Sequence, residues 1–232
     1  MAASSLGPWL DELEPVQRSG LGERVYQQLQ ERILSGKIGA GQHLVEQALA
    51  DQLAVSRISL REAIRRLADD GLVEIIPNRG AYTRRFAVED IAEIFSLRAA
   101  LEGMAGELAA TRAQPADLAP LQAVVDELGR LELSDDRLRG AEVDTEFHRA
   151  LMELSGQRRA FQIWRSMSAQ ITMVVYTVSN YYPRYDGLAA RHQRIVDLLQ
   201  AGQAREAGEY LREHILEGGQ HLLQAMVQGE PS

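Results

Sequence analysis

The first third of the chain places hydrophobic residues at helical spacing and then changes to the pattern of strands. Val25, Leu29 and Ile33 recur every four residues, which predicts an amphipathic helix. The glycine-containing segment 35–41 ends that helix, since glycine is frequent in connectors. The elements predicted after it are a short helix following Leu44, a helix over 57–67, and a β-hairpin with strands at 72–76 and 81–85 around a turn at 77–80.

The helix over 57–67 has an apolar face and an arginine face. Arg57, Arg61 and Arg65 are four residues apart, so their guanidinium groups point the same way. Ser56 precedes them and is suited to accept a backbone amide at the start of the helix. Such a helix fits the major groove of DNA, because its N-terminus attracts phosphate and arginine binds guanine edges. Taken alone, the pattern also fits a surface helix with solvated arginines.

The hairpin has a basic tip and therefore resembles the wing of a DNA-binding domain. Arg79 beside Gly80 is placed to reach a narrow minor groove, where the negative potential attracts guanidinium groups. A helix-turn-helix followed by a wing places its second helix in the groove. The residues predicted to contact DNA are Ser56, Arg57, Ser59, Arg61, Arg65, Asn78, Arg79 and Gly80.

Over about residues 21–86 the ordered motif resembles the GntR family of winged helix-turn-helix transcription regulators. Ala40 and Ser59 stand where the family often has proline, and Gln47 stands where some relatives have arginine. The resemblance implies a homodimer that binds a palindromic operator in double-stranded DNA. The matching residues after the first helix are Gly36, Ile38, Gly41, Leu44, Glu46, Leu49, Ala50, Leu53, Val55, Ser56, Arg57, Leu60, Arg61, Glu62, Ala63, Ile64, Leu67, Gly71, Leu72 and Val73.

Composition and charge support a division into a DNA-binding part and a second domain. The 232 residues suffice for two domains, and the absence of cysteine excludes disulfides and thiolate metal ligands. The net charge is −8, but residues 21–86 carry +2, residues 1–20 carry −2 and residues 87–232 carry −8. Positive charge is thus concentrated where DNA binding is predicted.

Neither a secretion signal nor a membrane-spanning segment is expected. The first twenty residues are acidic and lack a basic segment followed by an apolar one, so a flexible tail is predicted there. No apolar run reaches the roughly 20 residues that a membrane span needs. We therefore expect a cytoplasmic protein that does not contact membranes.

Residues 87–232 show helical periodicity and no strand pattern. Pro115 lies at the start of one helix, as proline often does, and short connectors predict antiparallel neighbours. A winged helix-turn-helix over 21–86 followed by an all-α six-helix bundle over 87–232 is the order of the FCD (FadR-like) branch of the GntR family. The predicted helices are Val88–Ala113, Pro115–Leu133, Arg137–Leu154, Arg158–Tyr181, Pro183–Gln200 and Gln203–Val227.

Three histidines and one aspartate of the bundle are candidate metal ligands. Asp144 and His148 are one turn apart on one helix, whereas His192 and His214 belong to two others. Spacing alone does not show that these helices converge, and each histidine alone also fits an ordinary core or surface residue. The resemblance favours metal ligands over ordinary core residues, because many FCD domains have an Asp-x-x-x-His pair followed by two later histidines. It implies a divalent metal ion, Zn²⁺ as first choice and Ni²⁺, Mn²⁺ or Fe²⁺ as alternatives.

Arg98 interrupts an apolar stretch and allows two interpretations. In FCD relatives an arginine at this place resembles an anchor for a small organic acid effector, since guanidinium binds carboxylate with two hydrogen bonds. The alternative is an ion pair with Glu102, four residues later. Tyr176 and Asn180, one turn apart, are predicted to line the same effector pocket.

Three functions follow from these residues. The first is a transcription regulator, in this branch most often a repressor, whose DNA binding responds to a metabolite. The second is a metal-dependent hydrolase, since a histidine site with open positions activates water. The third is a sensor of acyl-CoA within the same family, which needs no metal.

Overall fold

The computed structural model describes residues 20–134, 136–179 and 187–229. Their secondary structure is mainly helical, with one small antiparallel sheet near the N-terminus, as predicted. The N-terminal elements are α1 (Leu21–Leu34), β1 (His43–Leu44), α2 (Glu46–Gln52), α3 (Arg57–Asp69), β2 (Val73–Ile76) and β3 (Gly80–Thr83).

The sheet confirms the predicted hairpin and adds a strand to it. β3 lies in the centre and pairs antiparallel with β2 on one side and with β1 on the other. The tip contains Asn78 and Gly80, both with positive φ (61° and 99°), a conformation that favours asparagine and glycine. Two-residue β1 was not predicted, because a run this short has no alternation to detect.

The core of this domain explains why the arginines of α3 face outward. Leu60, Ala63, Ile64 and Leu67 are buried, and they form one cluster with the apolar residues of α1. Since these positions lie on one side of the helix, burying them leaves the arginine side exposed. The outward arginine face is therefore a consequence of packing.

The C-terminal domain contains the predicted helices. The bounds differ from prediction by at most two residues. Two predicted bounds cannot be compared: the end of α7 at Tyr181, which lies outside the described residues, and the start of α8, which was predicted at Pro183. The described part of α8 begins at Leu188, after Gly187 with φ 84°, and Pro183 lies outside the described residues. The helices are α4 (Val88–Arg112), α5 (Pro115–Leu131), α6 (Arg137–Leu154), α7 (Arg158–Ser179), α8 (Leu188–Gln200) and α9 (Ala204–Gly229).

Helices α4 and α9 pack closely because glycine occupies their contact. A methyl group at Gly106 would collide with Leu211, and one at Gly219 would collide with the ring of Phe95. This close approach sets the distance between the two helices, which both contribute to the site described below.

Helix α7 belongs to the cores of both domains. Trp164 is fully buried in the core of the helical domain. About two and a half turns later, Met173 is buried within the cluster formed by α1 and α3. Tyr176 donates a hydrogen bond from its hydroxyl to the backbone carbonyl of Ser35 at 3.1 Å. α7 thus connects the two domains.

Candidate metal centre and DNA-binding surface

Three histidines from three helices meet in the interior of the helical domain. His148 of α6, His192 of α8 and His214 of α9 are all buried. One nitrogen of each ring lies within 4.8 Å of the others, and the Nε2 atoms of His148 and His192 are 3.3 Å apart. The helices that were predicted to carry these side chains therefore bring them together.

Asp144 completes the group. Its Oδ1 lies 3.2 Å from Nε2 of His192 and 3.8 Å from Nε2 of His148. Burial alone would raise the pKa of Asp144, but the hydrogen bond with His192 and the charge of the nearby imidazoles outweigh it and hold this pKa well below its usual range. A buried carboxylate thus faces two imidazole nitrogens.

Two of the rings are oriented through their second nitrogen. Nδ1 of His192 lies 2.8 Å from the carbonyl of Leu188, and Nδ1 of His148 lies at an ion-pair distance of 2.6 Å from Oε2 of Glu102, although the angles are not those of a hydrogen bond. A proton on each Nδ1 leaves the Nε2 lone pair directed at the shared space, as in histidine metal ligands.

The third ring has an unsatisfied atom. Nδ1 of His214 is buried and has no hydrogen-bond partner among the described residues. Burial, followed by the charges of His192 and His148, holds the pKa of His214 well below its usual value, so the ring is neutral. A neutral imidazole next to two others and a carboxylate is a fit donor set for a divalent transition metal.

Glu102 links this histidine group to its surroundings. Its Oε1 accepts from Nε of Arg98 at 2.9 Å and from Nε1 of Trp164 at 2.7 Å. Burial raises the pKa of Glu102, but the charges of Arg98 and His148 overcome this and lower it to about 2. Sequence reasoning weighed Glu102 only as a partner of Arg98; an acidic residue in a largely apolar helix was the signal of a further role.

The structure contains the ion pair between Arg98 and Glu102, with both side chains buried. One guanidinium nitrogen, Nη2 of Arg98, is nevertheless buried without a hydrogen-bond partner among the described residues. The ion pair therefore leaves one donor of this arginine unused.

Of the two residues predicted to line the effector pocket, Tyr176 contacts Ser35 of the winged domain, and Asn180 lies outside the described residues.

The arginine face of α3, which was predicted to contact DNA, is exposed. The hydroxyl of Ser56 accepts the amide of Ser59 at 3.1 Å and so caps the helix. Arg57, Arg61 and Arg65 are exposed, and Arg61 forms an ion pair with Glu46 at 2.7 Å. The wing places Asn78, Arg79 and Gly80 at an exposed tip.

Ile58 is a feature of this face that sequence reasoning missed. Its side chain is 72% exposed although it is large and apolar, and it lies in the first turn of α3 beside the arginines. The sequence did indicate a special role for Ile58, because this isoleucine lies outside the buried apolar stripe of the helix and the apolar periodicity does not explain it.

Two family models match the chain. The model described as bacterial regulatory proteins, gntR family, matches residues 21–83, and the FCD domain model matches residues 93–217. The second covers more than half of the chain. The chain belongs to the GntR family, with an FCD domain. The GntR family consists of transcription regulators, so this GntR regulator is not an enzyme and the metal-dependent hydrolase interpretation is wrong.

Curated relatives agree with the family. The protein named "Probable D-xylose utilization operon transcriptional repressor" of Paenarthrobacter nicotinovorans is 30% identical over 183 residues, which cover 79% of this chain and 80% of that protein. The HTH-type transcriptional regulator LutR of Bacillus subtilis is 27% identical over 204 residues, with 79% and 92% covered.

Solved structures share the architecture of this GntR regulator. A protein of Rhodococcus sp. RHA1 described as a GntR transcriptional regulator is 26% identical, with a TM-score of 0.76 and coverage of 89% of this chain and 99% of that one. Escherichia coli McbR/YncC, at 20% identity, has the same fold, with a TM-score of 0.75 and coverage of 89% and 98%. Among the described residues no helix is long and apolar enough to cross a bilayer.

Proposed function

We propose that this GntR regulator is a repressor that binds a palindromic operator as a homodimer and responds to a small carboxylate through a metal ion in its helical domain. The observation that carries the proposal is the convergence of three buried imidazoles and one buried carboxylate from three helices. Zn²⁺ is the first choice, and Ni²⁺, Mn²⁺ and Fe²⁺ suit the same donors.

The ligands of the ion would be Asp144, His148, His192 and His214. Four protein donors leave coordination positions open for metals that accept five or six ligands, and a carboxylate oxygen is a suitable occupant. When bound, the ion supplies a positive charge that attracts such an anion. The direct test is the metal content of the purified protein, with one ion per chain expected and none expected after exhaustive chelation. A chain that never holds a metal would favour the competing metal-free acyl-CoA sensor.

Arg98 supplies the second contact for the effector. Its Nη2 is a buried donor without a hydrogen-bond partner among the described residues, and guanidinium–carboxylate hydrogen bonds are strong and directional. Glu102 would hold the rest of the guanidinium in place. The effector would then be bound at one end by the ion and at the other by Arg98.

We expect small carboxylic acids to raise the melting temperature of the metal-loaded protein and to leave that of the metal-free protein unchanged. The measurement is a thermal shift with a panel of monocarboxylates, hydroxy acids and dicarboxylates, each paired with its uncharged amide. A ligand that binds the folded state stabilises it and raises the melting temperature, so the shift identifies the acids that bind. The Arg98→Lys variant should lose most of it. Equal shifts with acids and amides would contradict the carboxylate site.

On the DNA side, the exposed arginines of α3 enter the major groove and the wing tip contacts the minor groove. Two copies of α3 from a homodimer would read two half-sites, which gives the operator its palindromic form. Ile58 adds an apolar group to this face. Within the major groove, the apolar feature of the bases is the C5-methyl group of thymine.

We expect replacement of a single thymine by uracil in each half-site to weaken operator binding about three- to fivefold, since one methyl group buried against Ile58 is worth about 0.8 kcal/mol. The Ile58→Ala variant should lose this discrimination between thymine and uracil. Binding is measured by fluorescence anisotropy with operators substituted one thymine at a time. If the Ile58→Ala variant discriminated between thymine and uracil as well as the parent does, another residue would make the methyl contact.

A further inference from the structure

Trp164 of α7 touches the metal centre through one intermediate residue. Its indole nitrogen donates to Oε1 of Glu102, while Oε2 of the same carboxylate faces Nδ1 of His148. Both side chains are fully buried, so water does not replace either contact. The position of the His148 ring is therefore tied to the position of α7.

A second contact joins α7 directly to α6, beside the aspartate ligand Asp144. The hydroxyl groups of Thr145 and Thr172 are 2.9 Å apart and form a hydrogen bond. Thr145 follows Asp144 directly on α6, and Thr172 is 6% exposed on α7. α7 is thus attached to the ligand helix α6 beside each of the two ligands that α6 supplies.

The far end of α7 holds the DNA-binding domain. Met173 lies in the core cluster of that domain, and the ring of Tyr176 would lie 3.6 Å from a methyl group at Gly36. The Tyr176 hydroxyl donates to the Ser35 carbonyl. Twelve residues separate Trp164 from Tyr176, which is about 18 Å along a continuous helix.

We infer that Glu102 and Trp164 are positioning residues that connect occupancy of the metal centre to the docking of the DNA-binding domain on α7. This inference rests on the proposed metal function. A cation bound by His148 and Asp144 fixes both side chains on α6. The contact of His148 with Glu102, and that of Thr145 (the residue after Asp144) with Thr172, then fix α7. The ion shifts the domain only if it binds the docked arrangement more tightly than the undocked one. The same coupling requires operator DNA to change metal affinity by an equal factor.

Because the chain has two tryptophans, the coupling between metal binding and operator binding can be tested by fluorescence. The Trp9→Phe variant leaves Trp164 as the sole tryptophan, at the junction of the metal centre and α7. Metal-free Trp9→Phe protein is titrated with Zn²⁺ and then with an operator duplex at saturating Zn²⁺. Both additions are expected to change the emission of Trp164. We also expect the Zn²⁺ dissociation constant to differ by about fivefold or more with and without operator.

Two variants of α7 separate coupling from metal binding. In the Trp9→Phe background, Tyr176→Phe and Thr172→Val should keep the emission change caused by Zn²⁺. The effect of operator on Zn²⁺ affinity should fall in both to less than about twofold. Thr111→Val is the matched control, because this threonine of α4 is exposed and donates only to the nearby carbonyl of Leu108. It should behave as the parent.

Glu102→Gln tests the intermediate residue while preserving its size. The loss of charge should weaken Zn²⁺ binding about 10- to 100-fold, as expected for a group that orients a metal ligand. At saturating Zn²⁺ it should also remove the emission change on operator binding. Far-ultraviolet circular dichroism with and without Zn²⁺ confirms that each variant is folded.

The possible results separate a failure of the coupling through α7 from a failure of metal binding. Zn²⁺ binding in the Trp9→Phe variant with no effect of operator on emission or on Zn²⁺ affinity would overturn the coupling and leave the metal centre standing. Full coupling in Tyr176→Phe and Thr172→Val would show that α7 is not the connection. A protein that binds no Zn²⁺ would remove the metal function and this inference together.

Discussion

Replacement of His214 by alanine is expected to lower the Zn²⁺ affinity of this GntR regulator by more than about 100-fold. The loss of a residue that merely orients a metal ligand costs about 10- to 100-fold, and the loss of a ligand costs at least as much. His214 is well suited to this test, because its Nδ1 has no hydrogen-bond partner among the described residues. Its removal therefore costs no hydrogen bond at that nitrogen. The affinity is measured by competition with a chromophoric chelator.

His43→Ala is the matched control for this prediction. His43 lies on β1 of the winged domain and stacks on the ring of Tyr82, with 4.5 Å between ring centroids. Its loss removes the same number of imidazoles from the chain without touching the metal centre. Equal Zn²⁺ affinity in His214→Ala and His43→Ala would contradict the assignment of His214 as a ligand.

The charges around the centre give an independent reason to expect a cation. Asp144 and Glu102 are both buried carboxylates held in the ionised form, and the buried Arg98 forms its ion pair with Glu102. Arg98 balances one of these two carboxylates, so the charge of Asp144 needs compensation from the imidazole group or from a bound cation. Burying an uncompensated charge is costly, and a divalent ion among the imidazoles compensates it. Histidine protonation is the alternative means of compensation, and it would compete with the metal.

The helices were predictable because local patterns determine them. The apolar stripe of α3 and the proline at the start of α5 each lie within a single helix, so sequence alone located them closely. The pair Asp144 and His148 was predictable for the same reason, since residues four apart share a helical face. β1 was missed because two residues give no periodicity.

The convergence of three helices and the docking of α7 could not be derived from spacing. Whether His192 and His214 reach His148 depends on how α8 and α9 pack, which is set by contacts far apart in the chain, among them those of Gly106 and Gly219 with α9 and α4. The apolar pattern of α7 is equally typical of a helix in one core or in two. Tyr176 was therefore predicted to line a pocket, whereas its hydroxyl contacts the winged domain.

Replacement of Arg57 by alanine is expected to lower operator affinity about 5- to 150-fold, since a bidentate contact between arginine and guanine is worth about 1–3 kcal/mol. Arg57 is exposed in the first turn of α3, and no ion pair within the described part of the chain engages it. Arg61→Ala should have a comparable effect, and Arg61 must exchange its contact with Glu46 for one with DNA. Fluorescence anisotropy at several fixed salt concentrations measures both, because salt changes the phosphate contribution strongly.

Arg66 offers a matched control on the same helix. It pairs with Glu23 at 2.5 Å and lies over the ring of Tyr26, so it faces α1 and not the proposed groove. Arg66→Ala should leave the ratio of operator to random-sequence affinity unchanged, while Arg57→Ala should reduce that ratio. If Arg57→Ala weakened both duplexes equally and merely lowered the salt dependence, Arg57 would be a phosphate contact. If neither Arg57→Ala nor Arg61→Ala altered binding, α3 would not be the helix that enters the groove.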